Sequence, residues 1–398
     1  MSNERWTPAE IARAALSRLF EPSDNVGLAL VAAAGAEDAF RVATGELTCG
    51  PGLHKELIET LQAHGHSVRT DVLTDALARW RPRVNGLAPE RDLETIARFG
   101  GALLTPEHAL WPEALQDLQL SMPLCLWARG KIDPGIPPVS RMVALVGSRD
   151  STNYGSAVTA DLAAGLVSRG CTVISGGAYG IDAQAHRAAL ATAREDHPRP
   201  TIGVMACGVD RYYPAGNEDL LRAIADRGLL LSEVPPGSSP TRWRFLQRNR
   251  LIAALSVVTV VVEARWRSGA LNTAHHAAEL GRAVGAVPGS VHSANSAGCH
   301  RLLRDGSAVC VTDASEIAEL AGPLGSEPDS PKNQPAAIHD GLNVEDILLL
   351  DALPVRASST VDKLAAVAGL STRGVLAGLG RLELEGLAAR TEDGGWRK

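Results

Sequence analysis

A doubly wound, mostly parallel α/β sheet is the fold the sequence predicts, and three observations predict it. Between Met142 and about Leu320, short apolar strands alternate with helical segments of about 10–15 residues, the pattern of parallel βαβ units. The strands run apolar without polar alternation, as strands covered on both faces do. The unit repeats at least five times, too often for chance.

The elements follow in order. MVALVG (142–147) is a strand ending in Gly147, and the polar turn SRDSTNYG leads to the helical stretch SAVTADLAAGLVSRG. TVISGG (172–177) is the next strand, followed by AYGID and the helix AQAHRAALATA. TIGVMACG, LLLSE, VVTVVVEA and AVGAVPG are further strands with helical segments between them.

The flanks differ from this core. Residues 1 to about 80 carry apolar residues at helical spacing in IARAALSRLF and, after the Gly50-Pro51-Gly52 break, in HKELIETLQA, which predicts a small helical module. Residues 86–138 mix a helix with loops before the short strand PLCLWARG, with Trp111, Pro112 and Trp127 as packing residues. Residues 322–340 are rich in Pro, Ser, Gly and charge and read as a linker. Residues 341–398 predict three helices, the third capped by Ser371, then a hairpin turning at Asp393-Gly394. That order suggests a winged helix. Its third helix carries Arg373 and Arg381 but also Glu383 and Glu385, which favours protein contact or domain packing slightly over DNA reading.

Composition bounds the function. The chain has 398 residues, 45% hydrophobic and 21% charged, which excludes a disordered, collagen-like or simple coiled-coil protein. A formal charge of −6 argues against a wholly basic nucleic-acid binder. The average hides a strip: residues 241–267 hold six arginines against one glutamate. Arginine supplies 34 of the 39 basic residues, so planar guanidiniums are nearly the whole cation supply. The six cysteines are scattered, with no C-x-x-C, so no metal site and no disulfide framework is expected. No signal peptide is evident, and the longest apolar run, Leu251 to Val262, contains Ser256 and Thr259 and is far short of the ~20 residues of a spanning helix. These features predict a cytoplasmic protein without a membrane partner.

Ligands of a doubly wound sheet bind beyond the carboxyl ends of its strands, so the loops there carry the candidate site. Gly147-Ser148-Arg149 offers backbone, hydroxyl and guanidinium donors to a phosphate, or is a plain strand-to-helix turn. Gly176 and Gly177 open a second glycine-rich turn, with Asp182 a helix cap or acid and His186 a residue facing the site. Arg242, Arg244, Arg248 and Arg250 interleave with Trp243 and Phe245, one of which belongs to the core. Arg248-Asn249-Arg250 opens an apolar helix. A cationic groove with aromatic faces suits single-stranded nucleic acid. Ser268 and Gly269 offer donors at another helix start, Glu263 is an acid/base group or, the favoured reading, pairs with Arg248 or Arg250, and Ser290 lines the same rim.

Taken together, VALVGSRDSTNYG, ISGGAYGIDAQAH, GVMACGVDRYYP, LLLSEVPPG, RFLQRNRLIAALS, VVEARWRSGALNTAHHAAELGR, AVPGS and GCHRLLRDGSAVCV resemble the DNA-processing protein A family (DprA, also called Smf). The resemblance is dense over about 142–312 and weaker in the flanks. It implies a Rossmann-like core over 86–321, a small helical module over 1–80 of the SAM or helix-hairpin-helix kind, and a winged helix over 341–398. It implies a homodimer that binds single-stranded DNA and loads the recombinase RecA during natural transformation, without cofactor or bond chemistry. By motif, Gly147, Ser148, Arg149 and the arginines of RNR would contact phosphates, Phe245 would stack on a base, and Ser268-Gly269 would line the pocket. The chain departs from the family at Leu246, where proline is usual, and at Ala270, where serine is usual. A competing reading is a nucleotide phosphoribohydrolase of related fold. It needs a P-G-G-x-G-T-x-x-E motif, and SGALNTAHHAAE lacks the glycine pair and the matching acid.

Overall fold

Thr7 starts the first helix. Its hydroxyl accepts from Glu10 N while the Glu10 carboxylate accepts from Thr7 N, and Pro8 occupies the first helical position of α1 (Pro8–Leu19). α2 (Asn25–Thr44), capped by Asp24, is kinked where Gly35 takes φ 76°, and α3 (Pro51–Ala63), α4 (Val72–Val84) and α5 (Pro89–Arg98) follow. Residue 80 therefore lies inside a helix. Leu16, Leu30, Leu57, Trp80 and Ile96 of these helices share one core with Trp127, Leu221 and Leu230 of the sheet region.

The computed structural model describes residues 5–194, 199–322, 342–355, 357–391 and 394–398. These fall in two units that divide at residue 327.

In the larger unit the strands are β1 (Gly101–Leu104), β2 (Leu126–Gly130), β3 (Met142–Gly147), β4 (Thr172–Gly176), β5 (Thr201–Met205), β6 (Leu229–Ser232), β7 (Val258–Glu263), β8 (Ala283–Ala286) and β9 (Val309–Cys310). They form one sheet in the order β1-β2-β6-β5-β4-β3-β7-β8-β9. β1 and β2, and β2 and β6, pair antiparallel, and every other neighbouring pair is parallel.

The helices between them are α6 (Asn153–Ser168), α7 (Ile181–Thr192), α8 (Glu218–Arg227), α9 (Arg242–Ala254), α10 (Ala270–Glu279), α11 (Ala297–Arg304) and α12 (Ala314–Ala321). Alternate residues of β3 feed opposite layers. Val143 and Leu145 pack with α6, α7 and α12, while Met142, Ala144 and Val146 pack with α9, α10 and α11. Burial on both faces is why these strands read as unbroken apolar runs. Trp111 and Trp127 are buried as expected.

The smaller unit contains α13 (Val344–Ala352), α14 (Val361–Ala368), α15 (Thr372–Leu384) and an antiparallel hairpin, β10 (Ala389–Arg390) with β11 (Trp396–Arg397). This is the element order of a winged helix. Leu349, Leu364, Val375, Leu379 and Trp396 form its core. Ser371 caps α15, accepting from Gly374 N at 3.1 Å. Apart from Gly322, the expected linker lies outside the described residues, as does Asp393 of the expected turn. Among the described residues no helix is long and apolar enough to cross a membrane.

Candidate nucleic-acid interface

From β3 the chain adds β4, β5 and β6 on one side, then crosses back to place β7 on the other. The loops after β3 and β7 thus diverge at a topological switch point and leave a crevice. An open groove of about 820 Å³ lies there, walled by residues 146–150, the first turns of α9, Arg265 and residues 267–270.

Gly147 is required by close packing: a Cβ there would lie 2.6 Å from Ile181 Cγ1 and 2.8 Å from the Glu263 carbonyl oxygen. Ser148 N donates to that same carbonyl at 2.8 Å, and its hydroxyl donates to Asp150 Oδ1. The Ser148 hydroxyl together with Arg265 holds the Asp150 carboxyl below its ordinary range. Arg149 projects into solvent, its Cζ 5.0 Å from the centroid of the Phe245 ring.

Glu263 does not pair with Arg248 or Arg250. Its carboxylate accepts from Thr152 N at 2.9 Å and Thr152 Oγ1 at 2.6 Å, and only a glycine at 155 leaves it room. The parallel pairing of β7 with β3 ends beside the start of α6, where a helix attracts negative charge.

Gly176 and Gly177 are not among the residues lining the groove. A Cβ on Gly176 would lie 1.8 Å from Arg248 Nη1, so this glycine makes room for a guanidinium. Arg248 is buried and donates from Nη1 to Val204 O at 2.7 Å. Burial pulls it below the usual guanidinium range, and Asp182 opposes that shift. Burial likewise raises the Asp182 carboxyl, against the pull of Arg248 and a Ser175 hydrogen bond. His186 does not face the groove: it is buried, with Nδ1 2.6 Å from Thr201 Oγ1 and Nε2 2.9 Å from Gly176 O.

Thr241 caps α9 by accepting from Arg244 N at 3.2 Å, so the helix starts at Arg242 and not at Arg248. That start decides which arginines reach the groove. Arg242 is exposed on the wall. Arg244 turns away, donating to both oxygens of Glu21 at 2.9 and 3.0 Å and to Ser239 O. Arg250 also turns away, onto both oxygens of Glu233 at 2.8 and 2.7 Å and onto Ser121 O. Asn249 ties α9 to the start of α10 through Gly269 O at 3.3 Å and Asn272 Oδ1 at 3.1 Å. Phe245 is half-buried in the groove and Trp243 is exposed, donating to Pro22 O, so neither belongs to the core.

The groove thus brings together Gly147, Ser148, Arg149, Arg242, Phe245, Arg248, Asn249, Ser268 and Gly269. It leaves out Gly176, Gly177, Arg244 and Arg250. Ser290 lines a separate hollow with Tyr154, Ser293 and Ser296. Sequence reasoning missed Tyr213, Arg265 and Arg267. The Tyr213 ring lies 6.1 Å from that of Phe245, making an aromatic pair in the groove. Arg265 is held by Asn295 Oδ1 at 2.9 Å and by Asp150. Both arginines stood in the Arg-rich strip and in RWRSG, a signal that was available. Tyr213 stood in RYYP with no periodicity to single it out.

Among the described residues, Arg149, Arg242 and Arg267 line the groove without a hydrogen-bond or ion-pair partner. An exposed guanidinium with no internal acceptor is free to take a phosphate in a bidentate contact. No group of His, Cys, Asp or Glu among the described residues has a metal-holding arrangement.

The model of the family described as DNA recombination-mediator protein A matches residues 102–322. The chain is 47% identical over 320 residues to the putative DNA processing protein DprA of Mycobacterium tuberculosis, covering 77% of this chain and 79% of that one. It is 34% identical over 238 residues to the DNA processing protein DprA of Bacillus subtilis, covering 60% and 74%. It is also similar to the solved structure of DNA processing protein A from Streptococcus pneumoniae, with a TM-score of 0.59 and 27% identity over 79% of this chain and 98% of that one.

Proposed function

The chain belongs to the DNA recombination-mediator protein A family, and from that premise we propose that the switch-point groove holds one strand of DNA. The observation that carries this reading is the set of three guanidiniums, Arg149, Arg242 and Arg267, that among the described residues have no hydrogen-bond or ion-pair partner and stand around the Tyr213–Phe245 ring pair, Arg149 over the Phe245 ring itself. Guanidiniums neutralise successive phosphates, and each ring offers a face to an unstacked base. A duplex keeps its bases stacked and has no face to offer the rings. Ser268 and Gly269 add donors at the start of α10, and Gly147 and Ser148 shape the floor.

The reading is one of binding without bond chemistry. Asp182 is buried beside Arg248, with the Ser175 hydroxyl donating to Leu145 O, and Glu263 is taken up in holding the start of α6 through Thr152 N and Oγ1. In this reading the larger unit, with the core over 86–321 and the helices over 1–80, carries the strand, and the 341–398 unit serves contacts with protein. The resemblance extends the proposal to a cytoplasmic homodimer that protects incoming single strands and loads RecA during natural transformation. A gel shift with labelled oligo-dT at low salt tests the core of it. Retardation that fades as salt rises supports the reading, and no retardation at low salt sinks it.

A further inference from the structure

The loop that supplies Arg265 and Arg267 to the groove also carries Trp266, which is not among the residues lining it. Trp266 is 51% exposed. Arg301 of α11 lies over it with Cζ 5.1 Å from the ring centroid and donates from Nη1 to Trp266 O at 3.4 Å. The backbone beneath is pinned: Ala264 N donates to Asn295 O and Gly298 N to Ala264 O, each at 2.7 Å. A Cβ on Gly298 would lie 2.7 Å from Ala264 Cβ, so α11 and the loop are in tight contact.

An aromatic ring half in water adds little to folding, yet the backbone that carries this one is tied to α11 and Arg301 lies against its face. Its surroundings are cationic. Arg265, Arg267, Arg301 and Arg304 lie on the loop and α11, against Asp150, which pairs with Arg265, and Asp305, which pairs with Arg304. Trp243 is the other strongly exposed tryptophan, but its indole nitrogen is committed to Pro22 O and it lines a hollow against the N-terminal helices.

We propose that Trp266 is a second stacking platform, outside the groove, for a base of the strand that leaves past Arg267, with Arg301 beside the adjoining phosphate. The proposal rests on the single-strand reading of the groove and adds a site to it. Base–aromatic stacking tolerates any base, so the platform lengthens the footprint without adding sequence preference.

The test uses the full chain and two labelled oligo-dT strands, of about 6 and about 16 nucleotides, within the range of known single-strand site sizes. Trp266→Ala is expected to keep wild-type affinity for the short strand and to lose about 5-fold or more on the long one, with Trp266→Phe recovering most of the loss. In a Trp243→Phe background, the long strand should quench tryptophan fluorescence more than the short one does. Wild-type affinity of Trp266→Ala for the long strand overturns the proposal and leaves the groove reading intact. Equal loss on both strands also overturns it, since the ring would then act inside the groove. Failure of the wild type to bind either strand overturns both readings.

Discussion

Arg242 and Arg250 sit eight residues apart on α9. Arg242 is exposed on the groove wall with no partner among the described residues. The Arg250 side chain is only 4% exposed, clamped between Glu233 and Ser121 O. The same contrast separates exposed Arg149 and Arg267 from Arg248, which lines the groove but is buried, with Nη1 on Val204 O and Gly176 giving up its Cβ to make room. A guanidinium taken out of water needs acceptors from its own protein, and those acceptors then hold it away from a ligand. An exposed one keeps its donors for a phosphate. A dense run of arginines is therefore two populations, sorted by what the neighbouring elements offer.

The largest expected effect breaks the buried population. Arg250→Ala leaves Glu233 nearly buried and unpaired, at a cost of about 3–5 kcal/mol, read as a lower urea midpoint. Arg242→Ala, on the wall, should stay within about 0.5 kcal/mol. Replacing Arg250 and Glu233 together by Met and Leu should recover most of the loss, because it removes the stranded charge. Similar losses for Arg242→Ala and Arg250→Ala would erase the distinction.

A second effect uses His186 in the same inner layer. Burial depresses its imidazole pKa from 6.5 to about 4. Between those values the unfolded chain takes up a proton that the folded chain refuses. Stability therefore falls as pH drops from 6.5 to 4 and the loss levels off below, reaching about 3 kcal/mol from this group. His186→Gln should show a flatter dependence of the unfolding midpoint across that window. An unchanged dependence would mean that the histidine is not held neutral.

The smallest effect concerns the other unit. Arg381 of α15 donates to both oxygens of buried Asp346 at 2.8 and 2.7 Å, and the helix continues through Glu383. A chain ending at residue 341 should bind oligo-dT within about twofold of the full chain, since few phosphate contacts would be lost. A tenfold loss would move a share of binding to that unit.

The sheet was legible because its central strands are mostly apolar, with β3 and β4 ending in Gly147 and Gly176, and because the intervening segments have helical length. The loops at the carboxyl ends of the strands followed, and with them Gly147, Arg149 and Ser268; the switch point itself needs the strand order. The sorting of the arginines was not legible. Arg244 finds Glu21 at a separation of 223 residues, and Arg250 finds Glu233 across a turn that no periodicity describes. Thr241 was a readable cap, and it would have placed Arg248 to Arg250 inside a helix. The Glu263 contact depends on the pairing of β7 with β3, which a linear reading does not fix. Tyr213 is brought to Phe245 by a loop, and loops leave no pattern in sequence.

The most direct test of the groove is the salt dependence of oligo-dT affinity, measured by fluorescence anisotropy for the wild type and for Arg149→Ala with Arg267→Ala. Both side chains are exposed, so the double variant should fold normally. Wild-type affinity should fall steeply with salt. The variant should bind about 10-fold or more weakly at about 0.1 M salt, with a log–log slope shallower by about 1.4, two phosphates at about 0.7 each. Equal affinity and equal slope for the two proteins would contradict the account.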